Sequence, residues 1–200
     1  MAPSDLANIE YSEKIISEIA GDDLTPIGFM GSDLRDNIKF FINDRHLDVK
    51  KDIHQIQEAL GKNLIILRKT GGVCIRTSLT PCARDAQTNE DMCAYYPCPN
   101  FFQFYYMADL SYLDFQTLQK TYAENLSNGR TRAAQKELQK IKDLLRSKLE
   151  PELDELDREI ACKGKDHVII RNPSLSTIID NETEIREEIA LWIKKRSDRF

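Results

Sequence analysis

The stretch TRAAQKELQKIKDLLRSKL, residues 131–149, decides the fold. Ala134, Leu138, Ile141, Leu145 and Leu149 recur every three or four positions, which places them on one stripe of an α-helix. Cations occupy many of the other positions. Just upstream, SNG at 127–129 reads as a helix stop, and Leu118, Tyr122 and Leu126 before it can face inward on a helix. Ser111 with Asp114 three residues on resembles a capping box at the start of that segment. So short a link favours antiparallel neighbours, and 111–149 is expected to be a helical hairpin. Pro151 stands where a helix can restart, and Leu153, Leu156 and Ile160 carry the apolar face onward.

Towards the N-terminus the same reasoning predicts a helix over 4–19. Ser4 or Asp5 can cap it, with Leu6, Ile9, Ile16 and Ile19 on one broad face. A second helix is expected from Ser32 through Leu34, Ile38, Phe41 and Ile42. The pattern resumes at Val49, Ile53, Ile56 and Leu60 and stops at Gly61. NLIILR is a short apolar run whose periodicity does not separate a strand from a buried segment. Near the other end, HVIIRN reads as a strand and Pro173 as a loop. Asn181 or Thr183 can cap a last helix with Ile185, Ile189, Leu191, Trp192 and Ile193. The fold class is therefore mainly α, with short strand segments. Three parts are expected: 1–70, 71–161 and 162–200.

Between these helices, GGVCIRTSLTPCARDAQTNEDMCAYYPCPNFFQFYY, Gly71–Tyr106, has turn formers but no helical period. It holds four of the five cysteines, spaced Cys74-x7-Cys82-x10-Cys93-x4-Cys98. Four thiolates make a closed tetrahedral zinc site, and the Cys93–Cys98 spacing suits one turn aiming two sulfurs at one ion. The glycines before Cys74 and the prolines beside Cys82 and Cys98 favour tight turns. The expected cofactor is one structural Zn2+ in a compact loop. Buried unliganded thiols, an iron–sulfur cluster and a redox disulfide are the alternatives. Cys162 reads as a separate buried thiol. The aromatics from Tyr95 to Tyr122 form either a core or a stacking platform for bases. The core is preferred, because few cations interleave with them.

Charge narrows the function classes. With 28 basic against 33 acidic residues the chain is not a uniformly basic nucleic-acid binder, though a local basic face remains open. Such a face is visible between Arg130 and Lys148, where seven cations meet two carboxylates. Arg132, Lys136 and Lys140 stand at i, i+4 and i+8, a stripe that can track phosphates. His46, His54 and His167 share no ligand spacing. No phosphate-cradling glycine loop, HExxH or GxSxG is present, so no enzymatic activity is expected. The start lacks the pattern of a secretory signal, and no window is apolar enough for a membrane span. The expected compartment is the cytoplasm, with no membrane partner and no small-molecule substrate.

The order GVC, PC, a third cysteine and CPNFF, followed by NGRTRAAQKELQKIKDLL, resembles the cysteine-rich C-terminal region of transposon-borne tyrosine recombinases. The resemblance covers about 71–149. It implies that Cys74, Cys82, Cys93 and Cys98 are zinc ligands, and that duplex DNA or recombinase protomers are partners. It does not bring the recombinase chemistry. His167 and Arg171 are four apart where the family's His-x-x-Arg element needs three, and no nucleophilic tyrosine stands out. The expected function is a non-catalytic, zinc-binding module of a mobile-element recombinase. A helical protein–protein interaction module with a purely structural zinc is the alternative.

Overall fold

The computed structural model describes residues 3–61, 65–69, 71–76, 82, 98 and 100–196. The chain divides into two compact units, Met1–Tyr105 and Tyr106–Phe200.

Among the described residues of the first unit, three helices accompany a small sheet. They are α1 (Pro3–Ala20), α2 (Phe29–Asp44) and α3 (Ile53–Gly61). The sheet has β1 (Ile65–Lys69), β2 (Gly72–Arg76) and β3 (Phe101–Phe102) in that order, all antiparallel. Ile65 pairs with Arg76 and Lys69 with Gly72, so β1 and β2 form a tight hairpin. Gly71 takes φ 68 at its turn, a conformation that favours glycine. Ile15, Ile16 and Ile19 of α1, Leu34 and Ile38 of α2, Ile56 of α3 and Ile66, Val73 and Ile75 of the sheet make the core. Two polar ties fix α1 in this unit. The Ser12 hydroxyl donates to the Ile66 carbonyl at 3.2 Å, and Gln57 of α3 donates to the Ser17 hydroxyl at 2.6 Å.

Three expectations change here. Ile9 is 44% exposed, so the buried face of α1 runs through Ile15, Ile16 and Ile19. The second helix starts at Phe29, ahead of Ser32. Gly31 reads as a breaker in the sequence but lies inside α2. A Cβ on it would stand 2.6 Å from the Pro26 carbonyl oxygen, so glycine is there for a close backbone approach. The expected helix from Val49 is delayed to Ile53. Asp48 accepts the backbone N–H groups of Lys50 and Lys51 at 2.9 and 3.1 Å, which holds 48–51 as a turn.

The second unit is helical throughout its described part. A 3₁₀ turn, Tyr105–Met107, leads into α4 (Ala108–Ser127), which is followed by α5 (Thr131–Leu144). Gly129, at φ 68, turns the chain between them. These two helices are the expected hairpin. Ala108, Ser111, Phe115, Leu118 and Tyr122 of α4 are buried, as are Ala134, Leu138, Ile141 and Leu144 of α5. Because α4 begins at Ala108, Ser111 is an interior residue of the helix and not its cap.

No break follows Leu149. A π-helical turn, Leu145–Leu149, joins α5 directly to α6 (Glu150–Lys163), with the Glu150 N–H bonded to the Leu145 carbonyl. Two sequence features call for this wider turn. Pro151 has no N–H to donate, and in a regular α-helix its ring would crowd the carbonyl four residues back. The apolar seam also carries an extra residue. It runs 134, 138, 141, 145 and then 149, 153, 156, where a strict alternation of four and three would put the next position at 148. A π-turn absorbs that insertion without losing the helix.

Beyond Gly164 come α7 (Lys165–Arg171), a 3₁₀ turn at Pro173–Leu175, α8 (Ser176–Asp180) and α9 (Glu182–Lys194). The expected strand HVIIRN is thus part of helix α7. Only Val168 of that run is buried, and Ile170 is 79% exposed, so the segment lacks the two-faced burial of an internal strand. Asn181 precedes α9 but makes no side-chain cap; its amide donates instead to the Thr177 carbonyl. No described helix is long and apolar enough to cross a membrane.

Candidate functional site

The described residues of the cysteine segment do not form the expected zinc centre. Among the described residues, no group of three or more His, Cys, Asp or Glu side chains is arranged to hold a metal ion. The expected Zn2+ and zinc-bound loop are therefore corrected. Cys74 sits in β2, paired with Leu67 on one side and Phe101 on the other. It is 6% exposed between Val73 and Ile75, which are also buried, and so packs as a small hydrophobe. Cys82 and Cys98 are half-buried and unoxidised. The Cys98 carbonyl accepts the Phe101 N–H at 3.1 Å, so Cys98 opens the turn into β3. Cys93 lies outside the described residues. Cys162, expected to be buried, is exposed near the end of α6.

The aromatic run is interior where it is described. Phe101, Phe102, Phe104 and Tyr105 are buried in the first unit, with the rings of Phe102 and Phe104 edge to face at 5.5 Å. In the second unit Trp192 packs edge-on against Phe115 at 5.9 Å and Tyr122 at 6.2 Å. These rings are not open to stack on bases. Trp192 is 8% exposed, and the Arg196 guanidinium lies 4.3 Å over its ring. Tyr95 and Tyr96 lie outside the described residues.

The basic stripe survives as geometry. On α5 the apolar residues Ala134, Leu138 and Ile141 face inward, and a 3.6-residue period turns Arg132 and Lys136 to the opposite side. Both are exposed. Among the described residues neither has a carboxylate partner, whereas the third predicted cation, Lys140, is half-buried and lies 3.1 Å from Glu137. Arg146, exposed in the π-turn, extends the cationic surface about four turns along the helix from Arg132. Lys148 leaves the set, since it is 3% exposed inside the unit.

Beside this surface, Tyr122, Leu126, Thr131, Ala134, Gln135 and Leu138 line a groove of about 500 Å³ at the end of the hairpin where the link joins its two helices. Its floor is apolar, and Leu126 is 43% exposed there. Elsewhere in the unit a cation is paired internally. Arg186 of α9 bonds Glu182 at 2.6 Å, Asp157 at 2.8 Å and Asp154 at 3.0 Å, so its cation is consumed within the fold. His46, His54 and His167 are exposed and stand apart from any such cluster among the described residues.

No protein-family model, curated protein or solved structure matches the chain.

Proposed function

We propose that the second unit is a non-catalytic module that contacts duplex DNA through the outer face of α5. One observation carries the reading. Arg132 and Lys136 stand exposed on one side of a helix whose other side is buried, and no described carboxylate neutralises them. Cations without internal partners are available to phosphates and release counterions on binding. The helix pair joined through Asn128 and Gly129 lies in the stretch whose sequence resembles transposon-borne recombinases. It supports an accessory role in such a system. Neither a catalytic step nor a metal enters the proposal.

A titration of the whole chain against a labelled duplex at several salt concentrations tests it. With Arg132, Lys136 and Arg146 engaged, the logarithm of affinity should fall against the logarithm of salt with a slope of about −3. The double substitution Arg132→Gln, Lys136→Gln should flatten that slope by about two. A chain that ignores duplex at low salt, or a double variant that binds as wild type does, would remove DNA from the reading. The groove at the end of the hairpin favours a second reading, a protein partner seated on Leu126 and Leu138. Loss of association in Leu126→Glu with the salt slope unchanged would favour it over the first.

A further inference from the structure

We propose that Glu152 is a proton-operated latch on the π-turn: neutral, it stays packed against α4, and ionised, it loosens that packing. Glu152 is 0% exposed, and neither of its carboxyl oxygens has a hydrogen-bond partner. The other two buried glutamates of α6 are answered by cations: Glu155 by Arg158 at 2.8 Å and Glu159 by Lys163 at 2.7 Å. Glu152 has no such contact. The Ser111 hydroxyl of α4 lies near enough to favour its charged form without a hydrogen bond of regular geometry, and Lys148, one turn earlier, acts through space. Asp109 and Asp114 of α4 oppose the charge.

Burial dominates this balance and pushes the Glu152 carboxyl from 4.5 up to about 8. A carboxyl raised in the folded state favours folding fully below its unfolded value. That contribution is lost as pH climbs from about 4.5 through about 8. The place where the loss is felt follows from the backbone. Glu152 lies one turn beyond a π-turn, and π-turns interrupt the regular ladder of an α-helix. Opening there frees the end of α5, so the cationic helix would be coupled to the proton.

Hydrogen exchange on the whole chain tests the latch, with rates corrected for their intrinsic pH dependence. Between about pH 6 and about pH 9.5, exchange in 108–115 and 145–156 should rise about a hundredfold in wild type. It should stay flat in Glu152→Gln, which keeps the shape and cannot ionise. The carbonyl stretch of a neutral carboxylic acid should be present at neutral pH in wild type and missing from the variant. Should Glu152→Gln fail to fold, Glu152→Met supplies a neutral occupant of similar size. An equal rise in wild type and neutral variant, no rise in wild type, or no neutral-acid band at neutral pH would overturn the proposal.

Discussion

At the scale of single residues, charge in the second unit is used in two opposite ways. Arg186 illustrates the closed use. Burial alone would lower its pKa, but bonds to Glu182 and Asp154 outweigh that and hold its charge more firmly than in water. Glu182 shows the converse. Burial holds it above the ordinary glutamate range although Arg186 pulls it down. Replacing Arg186 with Met keeps the apolar stem and removes the pull. Glu182 should then titrate higher still, which proton NMR of the side chain would detect. The cluster is partly exposed, so solvent screening limits the loss of stability to about 1 kcal/mol. Since a raised carboxyl favours folding below its unfolded pKa and loses that contribution as pH rises, the variant's deficit should widen from acidic towards neutral pH. A deficit independent of pH would mean that Arg186 acts through packing alone.

At the scale of elements, what the sequence conveys depends on the kind of signal. The hairpin of α4 and α5 is legible because its apolar residues recur with a helical period and a glycine marks the link. The continuous helix through Pro151 is not, since proline is an ordinary breaker and only the seam shift betrays the π-turn. The cysteine segment misleads for a related reason. Gly71 and Gly72 are turn formers in composition, yet Gly72 is a strand residue covered by the Phe101 ring. A ring that covers a glycine in a strand protects backbone that has no side chain of its own. A Cβ at position 72 would collide with the edge of that ring. Gly72→Ala should therefore displace Phe101 and cost about 2 kcal/mol, in the range of overpacked cores. Faster hydrogen exchange at β2 and β3 would report it, and an alanine variant as stable as wild type would show that Phe101 has another place to go. The basic face of α5 was readable as a stripe. That Lys148 turns inward and Lys140 is paired was not, because both depend on tertiary neighbours.

At the scale of the whole chain, the described parts of the two cores are built almost wholly from apolar side chains other than thiols. In the first unit they rest on isoleucines and phenylalanines, with Cys74 one small member among them. In the second the only cysteine is the exposed Cys162, and the interior is Leu, Ile, Phe and Trp from α4 to α9. A structural metal contributes folding energy only where its ligands converge, on the order of 10 kcal/mol in small zinc modules. Nothing of that size is needed to hold a unit whose helices already bury continuous apolar faces. Prolonged dialysis against a strong chelator should accordingly leave the far-ultraviolet dichroism and the hydrogen exchange of 108–163 unchanged. Melting should shift by less than a few degrees, against the tens of degrees that loss of a dominant ligand would bring. A collapse of helical signal on chelation, reversed by zinc, would place a metal back at the centre of the fold. It would also require a thiol contact that the described residues do not make.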